Sequence, residues 1–377
     1  MIKRNSFGFV LFARIMIMMS VFCMQPWDSQ ISVEKKMDSA KTLVYNNPKK
    51  SISIARQIYD NQSNSTQDKI SALIILTNGY SVQYDYENAL KNSFLANDLA
   101  EKSGDDLARI RTLGLIGNLY QMLQMNDKVR LYMNKAEKIS QSGKIPDSLV
   151  HNIEGNIYAI KGNSYKDDLD CSFAIQFYDK AILEFKKSES TSAKKNIILV
   201  YLHKANCLLE KSDIVEAEKY YQLALSLSEK IKLGEYQIMS QIGLAKIFQK
   251  QGQGDRSINL SKEALKQSLI MENQPLIKES SLIASLVSFS NKDMEQYKYY
   301  KDIYEKTSIK IQSAEVASIN KSIDYISQRK KAEEKKTYTK NIILICILSF
   351  LAIFTIAIFI IKIRLQYQKS KDFSNSL

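Results

Sequence analysis

Small residues recur along the middle of the chain in pairs that are seven positions apart. Ala89 is followed by Ala96, and Ala174 by Ala181. With degenerate copies included, the first members of the pairs are Ser51, Ala89, Val129, Ala174, Ala217, Ser257 and Tyr297. Seven positions are close to two turns of an α-helix, so both members of a pair lie on one face. Recurrence about every forty residues predicts an array of helical hairpins.

A further helix precedes each small-residue pair. An aromatic or leucine residue stands nine positions before the pair in four units, at Tyr80, Tyr120, Leu208 and Phe248. In the unit of Ala174, the matching Tyr158 stands sixteen positions before the pair. The pattern therefore predicts an insertion in that unit, which we place in a polar loop at residues 161–170.

The stretches Leu113–Tyr120 and Glu154–Tyr158, each followed by a small-residue helix, resemble the tetratricopeptide repeat (TPR). The resemblance covers residues 31–305. It implies an all-α fold, a right-handed superhelix or α-solenoid of about six to seven helical hairpins. The period is nearer the ~40 residues of HEAT and armadillo units than the usual ~34. The order of Gly/Ala, Tyr, Ala, Tyr and Ala nevertheless favours the TPR.

The same resemblance implies a peptide or protein ligand on the concave side, which the first helix of each repeat forms. The residue after the Gly/Ala position of that helix is asparagine in four units: Asn78, Asn118, Asn156 and Asn206. An amide donates and accepts hydrogen bonds at once, which suits the backbone of an extended peptide. The alternative is that asparagine is only a frequent consensus residue there. In the fifth unit the position is Lys246.

Four cysteines occur, and none forms a CxxC pair, so no zinc or thioredoxin-like motif is present. Cys171 and Cys207 are 36 residues apart, but a hairpin stack brings the start of one helix beside the end of the next. A disulfide between them is one expectation, and two free buried thiols are the other. Cys23 and Cys346 lie in hydrophobic segments.

Both ends of the chain are apolar. Residues 342–361 carry no charge, and twenty helical residues span the ~30 Å hydrocarbon core of a membrane. Residues 1–24 form a signal peptide or an N-terminal hydrophobic segment, with Arg14 leaving Ile15–Met24 as its apolar core. We therefore expect a single-pass protein of the bacterial inner membrane.

The orientation of the repeats is contested by two signals. Six basic residues precede the apolar segment at 342–361, and four follow it, which favours repeats in the cytoplasm by the positive-inside rule. An export signal at the N-terminus favours repeats in the periplasm. We give the export signal more weight, because an apolar stretch of this length stops transfer with limited regard to flanking charge.

Between the repeats and the apolar segment, residues 306–340 are expected to form a helical stalk. Apolar residues follow 7, 3, 4, 3 spacing at Ile309, Val316, Ile319, Ile323 and Ile326. A short heptad seam of this kind fits a homodimer through a two-stranded stalk. A capping helix on the last repeat explains it equally well.

Composition narrows the functional class. Only 12 glycines and 4 prolines punctuate 377 residues, which disfavours sheet folds with many turns. The formal charge is +13, but the lysines are spread along the repeats, so we expect no direct nucleic-acid binding. No glycine-rich phosphate loop or catalytic constellation appears. His151 and His203 are expected to be surface or packing residues. The sequence thus indicates a non-enzymatic protein without a cofactor or metal.

Signal, repeats, stalk and one membrane helix together resemble the sensor half of bacterial envelope regulators of the AraC type or of histidine kinases. The short basic tail at 362–377 leaves no room for an output domain of those regulators. The sequence therefore predicts a membrane-anchored, peptide-binding interaction module, periplasmic and sensory. The alternative is a cytoplasmic, tail-anchored TPR scaffold or co-chaperone.

Overall fold

The computed structural model describes residues 33–375, with side chains to residue 366. The predictions for residues 1–24 and for Cys23 lie outside the described residues. The described part is helical and contains no strand. Its helices are α1 (33–46), α2 (Pro48–Asp60), α3 (Thr66–Val82), α4 (Tyr86–Ser103), α5 (Asp106–Met122), α6 (Asn126–Ser140), α7 (Asp147–Asp168), α8 (Cys171–Lys187), α9 (Thr191–Glu210), α10 (Ile214–Lys230), α11 (Gly234–Lys250), α12 (Gly254–Ile270), α13 (Gln274–Ser290) and α14 (Met294–Asn375).

Successive helices pair as hairpins, and each first helix also packs on the first helix of the next hairpin, as α9 does on α11. The start of α14 completes the seventh hairpin, where Tyr300 packs with Ile277 and Ala284 of α13. The all-α solenoid of six to seven hairpins is therefore confirmed. Because each hairpin covers its neighbour's apolar face, the array shares one continuous core.

The turn inside a hairpin follows a repeated hydrogen-bond pattern. In the first full unit Tyr84 is left-handed, with φ 59°, and the N–H of Asp85 donates to the carbonyl of Tyr80 at 2.9 Å. The N–H of Met125 makes the same bond to Tyr120. This closure satisfies carbonyls that have no partner at a helix end. The aspartate then caps the second helix, since Asp85 accepts from the N–H of Asn88.

Small residues occupy the crossings between paired helices, as the sequence predicts. The two alanines of several pairs, such as Ala89 with Ala96, are completely buried. A Cβ added at Gly117 would come within 2.6 Å of the Met133 side chain. Larger residues at these positions would push the helices apart.

The predicted polar loop at 161–170 is wrong. Helix α7 continues through Lys161 to Asp168 and is 22 residues long. Tyr165 stands nine positions before Ala174, so it takes the place of Tyr120 in the earlier unit. The additional residues of this unit instead lie at 141–146 and in the first turns of α7.

Cys171 begins α8 and Cys207 lies near the end of α9. Their Cα atoms are 5.1 Å apart and their sulfurs are bonded. The structure thus has the disulfide rather than two free thiols. The bond joins two successive hairpins through buried residues.

The chain divides into two compact units between Ile319 and Asn320. In the second unit, α14 continues without a break through the apolar segment. An 18-residue window of this helix has a mean hydropathy of 3.1, and none of the window is buried. Every side chain from residue 341 to residue 366 is exposed, and Cys346 is a free thiol.

Candidate functional site

Two cavities open along the first helices of the repeats. The α5–α7 cavity has a volume of about 490 Å³, and its walls are mainly aliphatic, with Ile110, Leu115 and Ile157 among them. The α9–α13 cavity has a volume of about 520 Å³ and is more polar. Both volumes lie in the range of about 300–1,000 Å³ that is typical of ligand sites. The first-helix surface therefore has two recesses where a ligand could sit.

The four predicted asparagines do not share one environment. Asn118 is exposed and lines the α5–α7 cavity. Asn206 lines the α9–α13 cavity, and its Oδ1 accepts from the Tyr221 hydroxyl at 2.5 Å. Asn78 is half-buried on α3 and lines neither cavity. Three of the four predicted asparagines, Asn118, Asn156 and Asn206, therefore line a cavity, and Asn78 does not.

Asn156 lines the α5–α7 cavity, but its amide is already occupied on both sides. Its Nδ2 donates to the backbone carbonyl of Asn152 at 2.8 Å, and its Oδ1 accepts from Asn196 at 2.9 Å. It joins α7 to α9 rather than standing free. One N–H of Nδ2 and one lone pair on Oδ1 remain for a ligand.

In α7, the residue that takes the repeat position of Asn206 is Asn163, which the sequence did not lead us to predict. Its Oδ1 accepts from the Tyr178 hydroxyl at 2.8 Å, as Asn206 does from Tyr221. In both cases the tyrosine lies fifteen residues after the asparagine. Asn163 and Asn206 therefore each bind the second helix of their own hairpin.

Two further polar residues of the α5–α7 cavity were also missed, and helical spacing could have found both. Arg111 precedes Asn118 by seven positions, and Asn152 precedes Asn156 by four, so each shares a face with a predicted residue. Of the described residues, Arg111 is the one charged side chain that lines the cavity, and it is exposed. The Oδ1 atom of Asn152 is buried and has no hydrogen-bond partner among the described residues.

The α9–α13 cavity is lined by charged pairs. Lys166 lies 2.9 Å from Glu210, and Lys246 lies 2.8 Å from Glu279. Lys250 also lines the cavity and is exposed. The rim of this cavity therefore carries both positive and negative charges. Lys246, which replaces the asparagine in the fifth unit, has its charge balanced by Glu279.

A third cavity, of about 770 Å³, includes residues of α14. Glu315 and Ile319 line it together with Asn118 and with the turn that follows α5. Close by, Ser318 accepts a hydrogen bond from the N–H of Tyr86 at 2.9 Å. Burial, together with the charge of Glu315, raises the pKa of Tyr86. Helix α14 therefore contacts the hairpin α3–α4 within the first compact unit.

The two histidines differ in their surroundings. His151 Nδ1 lies 2.8 Å from a carboxylate oxygen of Glu184. His203 stacks on Tyr178 with ring centroids 6.0 Å apart. Burial, assisted by the charge of Lys166, lowers the pKa of His203 to about 4. His203 is therefore neutral at physiological pH and acts as a packing residue.

Comparison with known proteins gives a fold but no sequence family. No protein-family description and no curated sequence matches the chain. The Rap conjugation gene regulator of plasmid pLS20, in complex with the Phr* peptide, is 16% identical, with a TM-score of 0.58 over 76% of this chain and 77% of that one. The apo form of RapI is 12% identical, with a TM-score of 0.56 over 75% and 99%.

NprR in complex with its cognate peptide NprX is also similar, at 14% identity and a TM-score of 0.54 over 87% of this chain and 95% of that one. The fold is a TPR-type solenoid. Identities this low establish the architecture alone. The TPR-type solenoid of this chain thus has the arrangement found in Rap and NprR proteins.

Proposed function

We propose that this chain is a membrane-anchored TPR module that binds a protein or peptide segment through the first helices of its repeats. The carrying observation is the α5–α7 cavity, whose aliphatic walls are bordered by the amides of Asn118 and Asn156. Apolar walls with a few fixed polar groups suit a peptide, because side chains fill the recess while amides hold the backbone. Two structural neighbours, the pLS20 Rap regulator and NprR, were crystallised with peptides.

A binding test uses the full chain in lipid nanodiscs and pools of fluorescein-labelled random heptapeptides. We expect saturable anisotropy changes, and Asn118→Ala should weaken binding about tenfold, since one ligand hydrogen bond in a desolvated site is worth about 1–1.5 kcal/mol. Asn206→Ala tests the second cavity in the same way. Lys41→Ala, a change on the exposed side of α1, is the matched control. If no pool binds up to millimolar concentration, the peptide-binding proposal fails.

Membrane anchoring rests on the exposed apolar stretch at 342–361. A continuous apolar surface of that length is unfavourable in water and must be covered. Its length matches the hydrocarbon layer, and basic residues flank it on both sides. Sedimentation with membranes after an alkaline wash, lost when residues 342–361 are deleted, would test the anchor.

We place the repeats in the periplasm, so that the chain is the sensory part of a signalling or transcription regulatory system. The Cys171–Cys207 disulfide supports this side, because disulfides persist in oxidising compartments. A reporter fused after Leu377 and active only in the cytoplasm should be active. Activity of a reporter that requires the periplasm would instead support the tail-anchored cytoplasmic alternative.

The stalk offers a surface for a second copy of the chain. Ile309, Val316 and Ile323 are 67%, 52% and 51% exposed along one helix. Heptad spacing would bury them in a two-stranded coil. Val316→Cys should give a disulfide-linked dimer in membranes under mild oxidation, whereas Ala317→Cys, one position round the helix, should give much less.

A further inference from the structure

The buried Oδ1 atom of Asn152 needs an explanation. Native proteins leave few buried polar atoms without partners, because a buried polar group loses its hydrogen bonds to water and is unfavourable unless it makes new ones. This atom belongs to a residue that lines the α5–α7 cavity. An amide oxygen can only accept. The missing partner is therefore a donor. Because the atom is closed off in the structure, a ligand in the cavity reaches it once the Asn152 side chain turns toward the cavity.

Arg111 stands on α5 and lines the same cavity. It is exposed and forms no ion pair with any described residue, whereas its neighbour Arg109 pairs with Asp106 at 3.2 Å. All other side chains lining the cavity are uncharged. A guanidinium presents a planar fork of donors that matches a carboxylate. Among the described residues, the lining of the cavity thus carries one positive charge and no negative charge.

The remaining walls are aliphatic. Ile110 and Leu115 of α5 face the cavity together with Ile153 and Ile157 of α7. An apolar side chain that packs against these walls is removed from water, and this burial favours binding. The site therefore calls for three features in one ligand: an N–H donor, an apolar side chain and a carboxylate.

We infer that the α5–α7 cavity binds an apolar residue of a peptide together with an adjacent carboxylate. A peptide N–H donates to Asn152 Oδ1, the side chain fills the aliphatic recess, and Arg111 binds the carboxylate. The carboxylate can come from the C-terminus of the peptide or from a neighbouring acidic side chain. This inference rests on the proposed function and adds the ligand class and two residues to it.

The test uses three matched pools of fluorescein-labelled heptapeptides with the full chain in nanodiscs. One pool ends in leucine with a free carboxylate, the second ends in leucine amide, and the third is amidated with glutamate before the leucine. We expect at least tenfold tighter binding for a carboxylate-bearing pool than for the plain amide pool. Whether the first or the third pool binds better identifies the source of the carboxylate.

Two variants assign the effect to residues. Arg111→Gln should remove the tenfold preference, so that the carboxylate-bearing pools and the plain amide pool bind with similar affinity. Asn152→Leu should weaken all three pools severalfold, because it removes the acceptor. Lys250→Gln, in the other cavity, is the control and should leave the preference intact.

The outcomes separate the inference from the function on which it rests. Peptides that bind without any carboxylate preference, or a preference that survives in Arg111→Gln, would overturn the inference and leave peptide binding standing. A preference that disappears in Lys250→Gln instead would move the carboxylate site to the α9–α13 cavity and also overturn it. Absence of binding by every pool would remove the proposed function and the inference together.

Discussion

The hairpins α7–α8 and α9–α10 share one ion pair and one hydrogen bond at equivalent positions. In each, a lysine, a small residue and an asparagine follow one another, at 161–163 and at 204–206. Lys161 is buried and pairs with Glu137 of the preceding second helix, and Lys204 is buried and pairs with Asp179 in the same manner. The asparagine in each accepts from a buried tyrosine. These shared contacts define the register of the repeat.

The two hairpins differ in the residues that precede this lysine, small residue and asparagine in the sequence. Helix α7 contains two copies of a Gly-Asn-x-Tyr pattern, at 155–158 and at 162–165, and α9 contains no such pattern. The copies are seven residues apart, so both lie on nearly the same face of the helix. From residue types alone, either copy could be the one that aligns with the other repeats. The hydrogen bond from Tyr178 to Asn163 shows that it is the second copy.

The largest expected effect concerns the disulfide that ties the two hairpins together. Replacing both Cys171 and Cys207 by alanine should lower the free energy of unfolding by about 4 kcal/mol, because the bond closes a loop over a sequence separation of 36 residues. Urea unfolding of the full chain in micelles, followed by circular dichroism, measures the loss. Dithiothreitol should destabilise the natural protein and leave the double variant unchanged, and insensitivity of the natural protein would contradict the prediction.

Acid should act through His203, which has no counterpart in α7. Its pKa is about 4 in the folded protein and 6.5 ordinarily. Above pH 6.5 both states are neutral and nothing changes. As pH falls from 6.5 to 4 the unfolded state takes up the proton first, so stability falls by about 3 kcal/mol. His203→Phe, which keeps a ring on Tyr178, should lose this part of the pH dependence in thermal unfolding between pH 7 and pH 4.

The crossing residue should be sensitive to a change in size in both hairpins, for a different reason in each. A Cβ at Gly162 would come 2.6 Å from the Tyr178 ring, which is completely buried. Gly162→Ala should therefore cost about 2 kcal/mol through overpacking. Ala205→Gly, at the matching place in α9, should cost about 1 kcal/mol through backbone entropy. Stabilisation by Gly162→Ala in chemical denaturation would show that the helices do not cross there.

The smallest effect tests the shared register directly. Tyr178→Phe and Tyr221→Phe each remove one hydroxyl that donates to an asparagine, and each should cost about 1 kcal/mol. Asn163→Ala should not add to Tyr178→Phe beyond about 0.5 kcal/mol, since both remove the same bond. A second double-mutant cycle pairs Tyr178→Phe with Asn156→Ala and should show no coupling energy. Coupling of Tyr178 to Asn156 instead of Asn163 would contradict the alignment of Asn163 with Asn206.

Much of the fold could be predicted from the sequence because small residues at a fixed spacing report helix crossings directly. The pairing of Cys171 with Cys207 followed from the same hairpin geometry. The site was harder to predict. One acceptor position of Asn156 Oδ1 is taken by Asn196, forty positions away, and the unsatisfied oxygen of Asn152 exists only once α7 is packed. Hydrogen bonds between repeats depend on side-chain direction, which the spacing of residue types does not encode.

The hydrogen bond from Tyr86 to Ser318 affects how the first compact unit folds. Most contacts in a solenoid join sequence neighbours, which allows formation to begin anywhere and to spread. This bond instead joins residues that are 232 positions apart. Its loop entropy must be overcome before the contact forms, so it raises contact order and belongs to a late step of folding. Once formed, the bond links α14 to the second hairpin, α3–α4, and opposes unfolding of the array from its ends.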